Sequence, residues 1–337
     1  MKAILLTKPS PLEEKPLILQ QIDLPRLKED EVLIRTEACG VCRSNLHMIE
    51  GDWIQRGVPS KLPIIPGHEI VGKIEEVGSR VSHFKKGDRV GLQPLWSSCG
   101  RCTYCRTGRE QLCPCKEITG ETVDGGYAEY VVGKEDFLYL IPDSLSAVEA
   151  APLFCPGITA FHAIQKAGPL LGKRVAIFGI GGVGHMAVQF ARLAGANVIA
   201  LSRNPKHLQI AKELGAQDCI DANDSQRLEK LKKQGDIDCA VVFAPSHAIA
   251  QQAISLVKAG GKIVLGVNAE LGAFSFVEEK VILGTVIGPR EEMKEVLRLA
   301  AEGKIKAISQ TFTLEQAPEA LLQLKRGEIL SRAVLIM

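Results

Sequence analysis

Nowhere among the 337 residues do about 20 apolar side chains run together without a charge, which excludes an ordinary transmembrane helix. The opening MKAILLTKPSPLEEKP carries charges and prolines where a secretory signal needs an unbroken apolar stretch, so the chain is expected in the cytoplasm, with no membrane partner. A long basic tract is also missing. The 41 lysines and arginines are interleaved with 39 acids, for a formal charge of +2, which argues against nucleic acid as a partner. Internal repeats and low-complexity tracts are absent, and small-molecule chemistry is the better expectation. What is present is 46% apolar and 24% charged, enough for a large core, at a length that favours two domains. There are also ten cysteines. In a reducing compartment they are not expected to pair as disulfides, and metal ligation becomes the leading explanation.

The first third is rich in short β-like runs punctuated by glycine and proline, such as EVLIRTEA, HEIVGKIEEVG, GDRVGLQ and GGYAEYVVG, which predict an irregular, largely antiparallel β domain. The texture changes near residue 170. From there RVAIF, NVIAL, QDCID, CAVVFA, KIVLGV and VILGTVI alternate with helical segments, the signature of a doubly wound parallel sheet in an α/β fold. The tail TFTLEQAPEALLQLKRGEILSRAVLIM reads as strand, helix, strand and is expected to return to the first domain. The division is therefore 1–155 with 289–337 as a β-rich domain and 156–288 as a cofactor domain, with the active cleft expected between them.

Directly after RVAIF, Gly179, Gly181 and Gly184 have the G-x-G-x-x-G spacing and open a segment that reads as an amphipathic helix. That context lets a pyrophosphate sit on a helix N-terminus. A glycine turn that binds nothing is the alternative. His185, just beyond the turn, reads as a helix-surface residue. A carboxylate about 20 residues further on would select NAD by bonding its ribose, but NVIALSRNPKH ends in Ser202, Arg203 and Asn204. Arg203 suits the 2′-phosphate of NADP(H), Ser202 adds a hydrogen bond and Lys206 adds charge. A plain surface arginine is the competing reading.

Cys99, Cys102, Cys105 and Cys113 follow C-x2-C-x2-C-x7-C spacing in one polar loop, with Gly100 and Gly108 allowing the chain to wrap. Four thiolates with no open position suit a tetrahedral structural zinc. An iron–sulfur cluster is the rival, but the last gap is seven residues where a ferredoxin run has three. A zinc ribbon for nucleic acid is disfavoured by the mixed charge. Cys115 is left over as a bystander thiol.

Taken together, CGVCRSNLHMIEGDW, KLPIIPGHEIVGKIEEVG, the cysteine loop, GGYAEYVV, APLFCPGITAFHAI and the glycine turn resemble the zinc-containing alcohol dehydrogenases of the medium-chain dehydrogenase/reductase superfamily, over essentially the whole chain and in the family's order. The resemblance implies a GroES-like catalytic domain, a Rossmann cofactor domain and two zinc ions per subunit, one catalytic and one structural. It carries the catalytic zinc onto Cys42, His68 and Cys155, with Glu69 beside them as an alternative ligand or a supporting group. Alone, His68 reads as a core histidine and Cys155 as a small buried hydrophobe. It implies a proton relay through Ser44 and His47, which a three-residue separation puts on one side of a helical turn. Arg43 and Arg332 would meet the pyrophosphate, Thr159 and Val183 the nicotinamide, with Gly182 and Val267 as further cofactor contacts. Trp53 would line the substrate pocket.

The implied reaction is reversible hydride exchange between NADP(H) and an alcohol/aldehyde pair, by a homodimer or homotetramer. A polyol or sugar dehydrogenase shares the scaffold, but that branch often has a glutamate where Cys155 stands. A non-catalytic zinc-binding module would keep the cysteine loop without needing Ser44, His68 and Cys155. Two departures from the family stand out. Asn45 occupies the place of an aspartate that usually bonds the ligand histidine, so His68 should be a weaker donor, and Pro156 directly follows Cys155. Cys39 forms C-x2-C with Cys42, but the thioredoxin-like context is missing. Cys219 and Cys239 fall in strand-like runs and are expected in the core.

Overall fold

EVLIRTEACGV has seven non-polar residues among its eleven, and as strand β1 (Glu31–Val41) it exposes only Arg35. A strand buried on both faces belongs in the middle of a sheet. Here β1 pairs antiparallel with β2 (Ile70–Val77), with Tyr130–Lys134 and with Arg332–Ile336, and so anchors a seven-stranded sheet. The sheet is antiparallel except where Ser309–Thr313 joins Arg332–Ile336, so the tail does return to the first domain's sheet. Chain reversal follows at Cys42, which is extended (φ −104°, ψ 147°) and begins helix α1 (Arg43–Glu50), itself ended by Gly51 at φ 87°. Asn45, Leu46, Met48 and Ile49 form the buried face of α1.

The computed structural model describes residues 1–337, in two units: Met1–Cys155 with Pro289–Glu302 and Ala307–Met337, and Pro156–Gly288 with Gly303–Lys306. The second unit starts at helix α2 (Pro156–Ala167) and holds strand β3 (Arg174–Phe178), helix α3 (Gly184–Leu193), strand β4 (Asn197–Ser202) and helix α4 (Pro205–Glu213). Its six strands are all parallel, in the spatial order Asp218–Asp221, β4, β3, Ile237–Val242, Val257–Leu265, Val281–Gly284. Counted along the chain this is 3-2-1-4-5-6, the doubly wound arrangement the alternating runs predict. The order reverses beside β3, so the turn leaving its carboxyl end lies at the switch point, where such sheets take ligands.

One reading of this unit needs correction. Helix α3 is amphipathic as expected, but its polar stripe is turned inward: every residue from Gly184 to Ala191 is buried, His185 fully so. His185, Gln189 and Arg192 lie on one stripe, but Gln189 there donates to the Lys306 carbonyl at 2.9 Å, so the stripe is covered and His185 is not a surface residue. No single helix is long and apolar enough to cross a membrane.

Candidate functional site

Cys42, His68, Glu69 and Cys155 each bring one donor atom to a common point, all within 4.8 Å of one another. The sheet explains the first three. The amide of Gly40 donates to the Glu69 carbonyl at 2.9 Å, which aligns the end of β1 with the approach to β2. Cys155 arrives from a break between the turn Ala151–Phe154 and α2, where φ is −128° and ψ −67°. Pro156 is then the first helical residue, a position whose N–H has no intrahelical partner to lose. Phe154 anchors the break, fully buried with its ring filling the space a side chain at Gly91 would need. Burying such a ring stabilises the fold by roughly 1.5–3 kcal/mol.

The donor set fits a tetrahedral zinc. With Zn–S bonds of about 2.3 Å, two ligating sulfurs are ~3.8 Å apart, and Cys42 Sγ and Cys155 Sγ are separated by 3.8 Å. The hydrogen bond between them holds Cys42 well below the ordinary thiol range and Cys155 well above it. Burial works against protonation of His68, yet the bond to Cys42 and its charge outweigh that and raise the His68 pKa. Burial also lifts Glu69 to about 7, in spite of the Arg332 guanidinium it pairs with. Glu69 Oε2 is buried without a hydrogen-bond partner. An ion bound here would displace protons from this group, since thiolates and neutral imidazole are the ligating forms.

Ser44 Oγ is 3.3 Å from His68 Nε2, and His47 is one turn further along α1. Sequence reasoning did not single out Asp52, whose carboxylate lies 2.6 Å from His47 Nδ1 and so directs Nε2 of that ring outward. Its position just past Gly51 would have been the signal. Trp53 stacks on the His47 ring, with centroids 5.6 Å apart. Arg43 is exposed and donates to the Leu324 carbonyl at 3.3 Å. Arg332 is buried and engaged with Glu69.

Cys99, Cys102, Cys105 and Cys113 form the second group of converging donors. Sulfur separations of 3.9 Å (Cys99–Cys105) and 3.6 Å (Cys102–Cys105) bracket the tetrahedral edge. Amides at Arg101 and Cys102 pull the Cys99 thiol down to about 6, so a thiolate forms readily. Gly100 and Gly108 both have left-handed backbones. Cys115 is exposed and outside the group, while Cys39 is fully buried, its thiol pushed far up by desolvation.

In the second unit, the glycine turn joins β3 to α3. A side chain at Gly184 would lie 1.9 Å from the Gly179 carbonyl oxygen, so only glycine allows the turn to close onto the helix. His185 was missed as a participant: its Nδ1 is 3.1 Å from the Gly181 carbonyl, bracing the turn. Gly182, Val183 and Thr159 are half-buried, and Val267 packs against the core of the sheet. At the end of β4, buried Ser202 Oγ accepts from the Asn204 amide at 3.2 Å, and Asn204 caps α4 by accepting from the Lys206 amide at 2.9 Å. These local bonds fix the backbone at Arg203, whose side chain and that of Lys206 are exposed.

Residues 28–143 match the family described as alcohol dehydrogenase GroES-like domain, and residues 182–302 that described as zinc-binding dehydrogenase. An alcohol dehydrogenase of Geobacillus stearothermophilus is 43% identical over 328 residues, 96% of each chain. The solved alcohol dehydrogenase of the hyperthermophilic archaeon Aeropyrum pernix superposes with a TM-score of 0.92 at 34% identity, covering 100% of both chains. A thermostable alcohol dehydrogenase of Pyrobaculum aerophilum, solved with cobalt and zinc bound, gives 0.89 at 29%, covering 100% of this chain and 99% of that one.

Proposed function

This chain belongs to the zinc-binding alcohol dehydrogenases of the medium-chain dehydrogenase/reductase superfamily, and from that premise we propose that it exchanges hydride reversibly between NADP(H) and an alcohol/aldehyde pair, working mainly as an aldehyde reductase. The observation that carries the reading is the meeting of Cys42, His68, Glu69 and Cys155 donors within 4.8 Å. Cys42, His68 and Cys155 would hold a zinc ion, which would supply Lewis acidity toward a substrate oxygen. Glu69, tied to Arg332, holds charge behind the ligands. Ser44 Oγ holds the substrate oxygen's proton, and His47, oriented by Asp52, passes it outward from Nε2. Trp53 lines the substrate side.

On the cofactor side, the amides of the Gly179–Gly184 turn and the N-terminus of α3 bind the pyrophosphate. Thr159, Val183, Gly182 and Val267 hold the nicotinamide half. Arg203 takes the 2′-phosphate, assisted by Ser202 and Lys206. Preference for NADPH is expected to reach at least tenfold in kcat/KM. A charged hydrogen bond to phosphate is worth ~1.5–3 kcal/mol, so Arg203→Ala should lower kcat/KM for NADPH by about 10- to 100-fold and leave NADH almost unchanged. Equal turnover and affinity with NADH in the unmodified enzyme would overturn the cofactor assignment. A panel of linear aldehydes against polyols separates the aldehyde reductase from a polyol dehydrogenase.

The second ion, in the Cys99–Cys113 loop, acts as a brace. A clip closing a loop of about 15 residues stabilises by about 3 kcal/mol, which corresponds to roughly 6–12 °C in a unit of this size. Cys102→Ser should therefore lower the calorimetric Tm by that amount and remove one zinc per chain; an unchanged Tm would contradict the bracing role. A cytoplasmic homodimer or homotetramer completes the reading. The strand Val281–Gly284, at the edge of its sheet with Val281 exposed, supports pairing between copies.

A further inference from the structure

Three fully or almost fully buried polar side chains, beginning in the first ligand group, are joined by successive hydrogen bonds: His68, Asn45 and Tyr127. His68 Nε2 faces Ser44 Oγ, and the hydrogen bond at Nδ1 is to the Asn45 side-chain amide, 3.4 Å from Nδ2. On its far side Asn45 Oδ1 accepts from the Tyr127 hydroxyl at 3.3 Å. Tyr127 has little freedom of its own. It is fully buried, and its ring packs so closely on Gly67, the residue before His68, that a side chain there would lie 2.4 Å from Cδ1.

In this arrangement Asn45 donates to Nδ1, which requires the ring hydrogen on Nε2. A ring in that tautomer cannot ligate through Nε2. Ligation needs the hydrogen on Nδ1 and an acceptor facing it. Asn45 can provide one only by turning its amide over, which is sterically neutral because oxygen and NH2 are nearly the same size. The turned amide then points Nδ2 at the tyrosine oxygen. A phenol can take either role, since its hydrogen rotates and its oxygen has lone pairs. A carboxylate at position 45 would accept from both neighbours and need no rotation.

Resting on the reading of Cys42, His68 and Cys155 as ligands, we propose that Tyr127 is a positioning residue for the metal: its hydroxyl reverses from donor to acceptor, lets the Asn45 amide turn, and so secures the Nδ1–H tautomer of His68 that ligates through Nε2. Without the hydroxyl, the turned amide keeps a buried donor with no acceptor, whereas the unturned amide keeps a buried carbonyl oxygen with no donor; an orphaned N–H is the less tolerated of the two, so the larger cost falls on the metal-bound state.

The test is zinc affinity of the full-length protein by competition with a chromophoric chelator, with the cobalt d–d spectrum reporting ligand geometry and the Cys99–Cys113 site as internal reference. Tyr127→Phe should weaken one of two zinc ions by about 10- to 100-fold and leave the other unchanged, which also verifies folding. Asn45→Asp alone should tighten that ion, and in the Asn45→Asp background Tyr127→Phe should cost less than about threefold, because no amide has to turn. Unchanged affinity in Tyr127→Phe, equal losses in both backgrounds, or a weaker site in Asn45→Asp would each overturn the proposal. If the unmodified protein takes up one zinc only, and Cys42→Ser does not alter that number, the ligand reading itself falls and this inference with it.

Discussion

Replacing Cys155 with alanine is expected to slow aldehyde reduction by about three to four orders of magnitude and to remove one zinc ion per chain. A Lewis-acid ion contributes several kcal/mol of transition-state stabilisation, and each 1.36 kcal/mol is a factor of about ten in rate. Cys155 is one of three proposed ligands, with its sulfur 3.8 Å from that of Cys42. Removing it breaks the tetrahedral set and also leaves Cys42 without the partner whose hydrogen bond lowers its pKa. The fold should survive. The lost side chain is a single sulfur at a chain break, whereas the neighbouring anchor, Phe154, stays fully buried. The measurement pairs single-turnover oxidation of NADPH with zinc content. A variant at full speed, or one that is slow but retains both ions, would show that Cys155 does not hold the reacting ion.

Ser44→Ala should give the second-largest loss, about 10²–10³ in kcat, with both zinc ions retained and KM little altered. General acid–base groups contribute on the order of 10²–10⁴, and water can partly replace a missing hydroxyl at a half-exposed position. Ser44 Oγ lies 3.3 Å from His68 Nε2, so it is in place to contact an oxygen at the ligand group. Ser44→Thr preserves the hydroxyl and should remain within about tenfold of the unmodified enzyme. Steady-state kinetics on the three proteins tests the relay. If alanine and threonine behave alike, the hydroxyl proton has no part in it.

The doubly wound sheet could be read from local patterns, because parallel strands covered on both faces appear as near-continuous apolar runs, RVAIF and CAVVFA among them. The turn at Gly179–Gly184 and the loop at Cys99–Cys113 also carry their information in short spacings. The group formed by Cys42, His68, Glu69 and Cys155 does not. Its members meet through pairing of β1 with β2 and through a chain break more than 80 residues downstream of Glu69, and no spacing encodes that; only the family resemblance pointed to them. The same holds for Tyr127, 82 residues from the Asn45 it bonds. His185 was misread because the polar face of its helix is covered by the chain at Lys306, a contact that no local pattern encodes. The pairing of Arg332 with Glu69, 263 residues apart, likewise depends on the last strand returning to β1.

Anomalous diffraction recorded on both sides of the zinc absorption edge, from crystals of protein purified without chelator, tests the central claim most directly. The account predicts two peaks per chain, one among Cys42, His68 and Cys155 and one among Cys99, Cys102, Cys105 and Cys113. A single peak in the cysteine loop, with none near Cys155, would contradict it.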